Sequence, residues 1–194
     1  MIGIWHCAAN TLVTRSVADL SDILEDHRVR LEPLEDHHLE PLRAACAQDP
    51  DIWQIYPVNM LEEGFDQAMA QFHSLESWVK FAVIDLEQGQ LVGMTNFINP
   101  DQFGVVEIGG TYISPSVRGT GFNRQAKKLL IEHAFANGFT RIEFRVDTRN
   151  KRSMAAVAKL GALLEGTLRR NRMTWTGYVR DTAVFGLLRE DWAG

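Results

Sequence analysis

The stretch Ser116-Val-Arg-Gly-Thr-Gly-Phe-Asn123 follows a strand-like run and opens a segment with helical spacing. At a helix start the first backbone N–H groups lack intrahelical partners, and the helix dipole adds partial positive charge. Gly119 and Gly121 remove side chains there, so a phosphate can come close to the donors. Pyrophosphate binding is the chemical reading; a tight strand-to-helix turn is the structural alternative. Two nucleotide motifs are excluded. The second glycine is not followed by Lys-Ser/Thr, as a Walker loop requires, and the three-glycine dinucleotide fingerprint of an early βαβ unit is missing.

Upstream of the loop, Lys80 to Asp85 and Gln90 to Ile98 flank the turn signal Leu86-Glu-Gln-Gly89, and Val105 to Ser114 follows a second turn at residues 99 to 104. These runs predict three neighbouring antiparallel strands. Gly109-Gly110 interrupts the third, which suggests a bulge or a close backbone approach. Earlier still, Val29 to Pro33 predicts a first strand, and residues 36 to 47 and 60 to 74 carry helical spacing, with Phe65, Met69 and Phe72 on one face. Downstream, Asn123 to Asn137 places Ala126, Leu129, Leu130 and Ala134 on one stripe and stops at Gly138. Arg141 to Asp147 alternates, Asn150 caps a helix from Ser153 to Leu160, and strand-like runs near 163 to 173 and 178 to 188 end the chain. A mixed α/β sheet results.

A length of 194 residues, 45% hydrophobic and 23% charged, suits one globular domain and argues against disorder, collagen or coiled coil. Residues 1 to 27 read as an N-terminal extension. Apolar runs such as Phe81-Ala-Val-Ile84 fall far short of the roughly twenty residues of a spanning helix. With neither a basic n-region nor an apolar h-region at the start, the expected location is cytoplasmic. Cys7 and Cys46 read as reduced thiols, and six dispersed histidines without His-x-x-x-His spacing give no zinc pattern. Residues 1 to 114 carry 5 Lys/Arg against 18 Asp/Glu, whereas residues 115 to 152 carry 9 against 3. A basic stretch inside an acidic chain suggests a local anionic ligand rather than nucleic acid, and the acidic part suggests a cationic acceptor.

The residues from Arg118 to Asn123 resemble the Arg/Gln-x-x-Gly-x-Gly/Ala loop of the GCN5-related N-acetyltransferases (GNAT), whose backbone amides hold the pyrophosphate of acetyl-CoA. Asn123 stands where that family usually has Gly or Ala. The longer string Gly119-Thr-Gly-Phe-Asn-Arg-Gln-Ala-Lys127 is similar to the branch that includes RimJ and RimL, which acetylates protein N-termini. Further blocks of that branch match at Phe144 to Ser153, Leu160 to Arg169 and Tyr178 to Asp181. The resemblance covers residues 28 to 192. It implies an α/β (α+β) GNAT fold: a mixed, mostly antiparallel sheet of six to seven strands, splayed between the fourth and fifth and flanked by about four helices.

What the resemblance implies for function is transfer of an acetyl group from acetyl-CoA to a primary amine by direct attack, without a metal. The acceptor is a protein N-terminus or a small molecule, and neither nucleic acid nor membrane is a partner; a homodimer is an assembly to test. A non-catalytic acyl-CoA-binding sensor or interaction module of the same fold is the alternative. Acetyl transfer needs a neutral amine, a donor for the developing oxyanion and a proton for the thiolate. Glu107 is the candidate base, acting through water, and a backbone N–H near Ile113 the oxyanion donor. Ser153 resembles the family position beside the coenzyme sulfur and is the candidate acid. Tyr112, Ile113, Arg118, Gly119, Thr120, Gly121, Phe122, Asn123, Asn150 and Arg152 are the candidate coenzyme contacts, with Arg124 and Lys127 as further phosphate neighbours. Trp53, Tyr56, Trp78 and Trp175 are candidates for an acceptor mouth, with core packing as their alternative.

Overall fold

In the computed structural model, which describes residues 20–194, the period-two runs become strands of one eight-stranded sheet. The strands are β1 (Leu24–Glu25), β2 (Val29–Pro33), β3 (Trp78–Asp85), β4 (Gln90–Ile98), β5 (Val105–Ile113), β6 (Arg141–Asp147), β7 (Leu163–Met173) and β8 (Val179–Leu188). They lie in the order β1-β2-β3-β4-β5-β6-β8-β7, and only the β5–β6 pair is parallel. The expected hairpin between β3 and β4 turns at Gly89, whose φ of +62° is left-handed.

Among the described residues four α-helices flank the sheet: α1 (Leu39–Cys46), α2 (Glu63–His73), α3 (Phe122–Ala136) and α4 (Lys151–Ala158). The segment read as one helix over 36 to 47 begins as a 3-10 turn, Asp36–His38, before α1. Helix α3 stops at Gly138, φ +84°, as its sequence predicts. Its stripe of Ala126, Leu130 and Ala134 is fully buried against Phe97, Val106, Ile142 and Phe144 of the sheet. Helices α1 and α2 cover the opposite face, where Leu42, Phe65, Met69 and Phe72 pack on Met94 and Tyr112.

Counting β1, the sheet has one strand more than the six to seven expected. That two-residue strand pairs Leu24 with Leu31 inside the segment read as an extension, and Leu20 is buried in the main core. The separation between the expected fourth and fifth strands therefore lies between β5 and β6. Residues 1 to 19, which hold most of the expected extension, Cys7 and His6, lie outside the described residues. Cys46 is a buried free thiol whose pKa burial pushes up to about 12.

Leu20→Ala should lower stability by about 2–5 kcal/mol, the usual result of emptying a fully buried leucine site. Urea denaturation measures this, and wild-type stability would make residues 20 to 27 an appendage rather than part of the domain.

Candidate active site

Strand β5 pairs with β6 only at Val105, Val106 and Glu107, opposite Arg141, Ile142 and Glu143. Beyond them the two strands separate, leaving Ile108–Ile113 and Phe144–Asp147 to line a gap. On its other edge β5 slips register against β4 between Met94 and Asn96, with Gly110 at φ +58°. This is the bulge expected at Gly109-Gly110, and it takes a left-handed glycine. The Ser114 N–H donates to Val92 in β4, so by alternation Ile113 and Thr111 turn their backbone groups toward the gap.

Side chains cap the carbonyls of this bulged segment. The Asn96 amide donates to Gly109 (3.1 Å) and Gly110 (3.4 Å), the Tyr56 hydroxyl donates to Thr111 (2.5 Å), and Arg118 Nε donates to Ile113 (2.7 Å). Burial pushes the Tyr56 phenol up to about 12, so it stays a donor. Among the described residues no side chain accepts from the N–H groups of Thr111 and Ile113, which alternation turns toward the gap as donors.

At the end of β5 a 3-10 turn, Pro115–Val117, leads into Gly119 (φ +78°) and Gly121 (φ +86°) and then α3. A Cβ at either glycine would meet nothing within 4 Å, so the backbone angle and not crowding demands glycine. Among the described residues, none of the amides from Gly119 to Asn123 has a hydrogen-bond acceptor. The loop is braced from outside: Arg28 donates to the Thr120 carbonyl (3.2 Å) and hydroxyl (3.1 Å), and the Thr120 hydroxyl donates to Val117 (2.8 Å). Phe122 is fully buried beneath the loop, and the Asn123 Oδ1 is buried without a partner.

The expected residues do not all face one way. Arg118 directs its guanidinium to Ile113 and to Asp49, an ion pair that ties the loop to the segment after α1. Lys127 is only 6% exposed, with Nζ bonded to Thr111 Oγ1 (2.5 Å) and Thr95 Oγ1 (3.3 Å). Tyr112 packs in the α1/α2 core and its hydroxyl donates to Ala45 (2.6 Å). Asn150 caps α4 by accepting from the Ser153 N–H at 3.0 Å. Arg152 lies in the first turn of the same helix, close enough for its charge to be felt at Tyr56.

Glu107 occupies the vertex where β5 and β6 part, its carboxylate 3.5 Å from Arg145 Nε. Burial raises its pKa, and Arg145, Arg172 and Arg180 pull against that rise. Trp53 is buried against Tyr56 and Tyr112 (ring centroids 4.8 and 4.7 Å away), whereas Trp175 is exposed and donates to the Trp53 carbonyl at 2.8 Å. A cleft of about 540 Å³ opens between Pro57, Asn59, Gly64, Gln67 and Trp175, with Glu62 and Glu63 exposed on its wall. Glu32, His37 and His38 also cluster, but both His38 nitrogens are engaged, by the Glu35 N–H (3.0 Å) and by Glu32 (2.8 Å). That the charges of Arg172 and Arg180 reach Glu107 was not apparent in the sequence, where the Tyr178-Val-Arg-Asp181 block was the available signal.

Residues 28–163 match the family model described as the acetyltransferase (GNAT) domain. The chain belongs to this family. A probable GNAT acetyltransferase from Chromobacterium violaceum is 30% identical, with a TM-score of 0.83 over 90% of this chain and 89% of that one. The GNAT fold is also shared with Mycobacterium smegmatis RimJ, solved with CoA-disulfide (18% identity, TM-score 0.76, 91% of each chain). Spermidine N-acetyltransferase from Vibrio cholerae, solved with CoA and spermine, is a further neighbour (19% identity, TM-score 0.71, 87% of this chain and 100% of that one). No curated protein matches the sequence.

The buried Lys127 makes a prediction of its own. Burial lowers its pKa to about 7 from the ordinary 10.5, so between those values the unfolded chain holds a proton that the folded chain has released. Stability must then fall as pH drops from about 10.5 toward 7, by at most about 1.4 kcal/mol per unit. Lys127→Met should flatten this slope in melting temperatures recorded from pH 7 to 10; an unchanged slope would place the titration elsewhere.

Proposed function

We propose that this GNAT protein transfers an acetyl group from acetyl-CoA to a primary amine by direct attack within a ternary complex. One observation carries the reading: five consecutive amides from Gly119 to Asn123 without protein acceptors stand at the mouth of a gap whose free backbone groups are donors. The first feature suits a pyrophosphate, and the second suits the amide carbonyls of a pantetheine arm laid along β5 as an added strand would be. The exposed first turn of α4 offers Arg152 to the phosphates, and the Asn150 NH₂ remains for the arm because its oxygen is spent on the cap.

At the vertex Glu107 takes a proton from the incoming ammonium through water. Its burial raises the basicity that an ordinary carboxylate lacks near neutral pH. The Ile113 N–H donates to the oxygen on which charge develops, and Ser153, whose hydroxyl makes no bond among the described residues, returns a proton to the departing thiolate. No side chain forms a covalent bond to the acetyl group. Positioning amine and thioester supplies much of the acceleration, so a single acid–base group is helpful rather than indispensable. An α-amine, with a pKa of about 8 against about 10.4 for lysine, is the easier acceptor to deprotonate. That preference accords with the RimJ/RimL-like resemblance.

Gly121→Glu should abolish acetyl-CoA binding in calorimetry, because a side chain and a negative charge enter the amide cradle; wild-type affinity would refute the loop assignment. Ser153→Ala should spare binding and lower kcat. Glu107→Gln should lower kcat/KM by roughly 10²–10⁴-fold. The wild-type profile should fall as pH drops through the raised Glu107 pKa, and the variant should lose that limb. A thiol-release assay reads both, and binding with no release toward any amine would leave a non-catalytic module.

A further inference from the structure

The sheet face that carries Glu107 also carries Glu143, Arg145 and Asp147 of β6, Arg180 and Thr182 of β8, and Arg172 of β7. Alternation places them there, since Val106, Ile142, Phe144, Ala183 and Phe185 fill the core on the opposite face. The carboxylates of this face are already paired. Asp147 takes the Arg149 guanidinium at 2.7 Å, Glu143 takes Arg141 (3.1 Å) and Arg145 (3.0 Å), and Glu107 takes Arg145.

Two guanidiniums of this face form no salt bridge among the described residues. Arg172 and Arg180 stand directly opposite each other in the β7–β8 ladder, an arrangement of like charges that is destabilising by itself. Arg180 is only 6% exposed, and among the described residues it makes no hydrogen bond or ion pair; its Nε is buried and unpartnered. Burial and the neighbouring Arg172 disfavour its charge, and the fields of Asp147 and Glu107 only partly offset them. Two residues along on the same face, Thr182 is 1% exposed, and its hydroxyl oxygen is likewise buried without a partner. Buried polar groups are normally satisfied, and a buried guanidinium beside an exposed one, with an unpartnered hydroxyl two residues along the same sheet face, fits an oxyanion that accepts from all three.

The geometry points to an acceptor amine that carries its own anionic group, a carboxylate held by Arg180, Arg172 and Thr182 while the amine is presented to Glu107. This rests on the acetyl-transfer reading of Glu107 and deepens it by naming the acceptor class. It reverses the expectation of a cationic acceptor. Some acidic residues of the first 114 are paired, such as Glu32 with Arg30 and Asp66 with Arg43, and others, such as Glu62 and Glu63, are exposed to solvent, where screening weakens them. Arg180 acts from a buried position, where the same charge acts more strongly.

The test compares ω-aminocarboxylates of two to six carbons with their amides, with aminoalkylphosphonates and with spermidine, in low-chloride buffer. Thiol release should give at least one carboxylate a kcat/KM ten or more times that of its amide, and Arg180→Gln or Arg172→Gln should erase the ratio while acetyl-CoA affinity stays unchanged. Parity with the amides, a spermidine preference, or a ratio that survives both substitutions overturns the proposal. A preference confined to phosphonates would keep the anion site and exclude carboxylate as its ligand. Should no amine turn over, acetyl transfer fails, yet the anion site is still decided. Glutarate should then raise the melting temperature of the wild type and not of Arg172→Gln, an exposed position chosen in case Arg180→Gln does not fold; no shift in the wild type sinks the site.

Discussion

Everything at the candidate site depends on β5 leaving β6 after a three-residue parallel ladder. A sheet that opens exposes backbone groups that would otherwise pair, and each buried orphan is unfavourable by about 1–3 kcal/mol. The protein answers this asymmetrically. Asn96, Tyr56 and Arg118 reach in to cap the carbonyls of Gly109, Gly110, Thr111 and Ile113, and among the described residues no side chain caps the corresponding N–H groups. The gap is therefore a donor edge, complementary to a ligand rich in carbonyls. The bulge at Gly110 keeps it open, because a β5 in regular register with β4 would direct different backbone groups outward.

Electrostatics divides the molecule along the same sheet. Behind β5, Lys127 sits among Thr95 and Thr111 in an environment that favours its neutral form, within reach of the Glu107 field. In front, Glu107 is held between burial, which favours its acid form, and three arginines, which favour its anion. A group balanced in this way changes protonation readily when an acceptor displaces water or adds charge. The net negative charge of the chain says little about such a place, because Arg145, Arg172 and Arg180 share one sheet face with Glu107.

Much of the fold was legible because its signals are local. The β2, β4, β6 and β7 limits agree with the alternation of their residues, and Gly89 and Gly138 mark turns through backbone angles that few other residues adopt. The missed strand β1 is too short to show a period, and Leu20 joins the core through packing from a polar segment. Lys127, a phosphate neighbour by its place after the glycine loop, is instead buried on Thr95 and Thr111, because only the docking of α3 on the sheet turns that position inward.

The sequence by itself determined the order of elements, the glycine loop with its family resemblance, and Asn150 as a cap, because each depends on residues close along the chain. Tertiary structure alone decided that Arg118 braces the loop through its side chain, that Tyr56 caps a carbonyl 55 residues away, and that Arg172 and Arg180 meet across a ladder on the Glu107 face. Those facts depend on strand register and on which groups the fold removes from water, and neither is written in the spacing of residues along one segment.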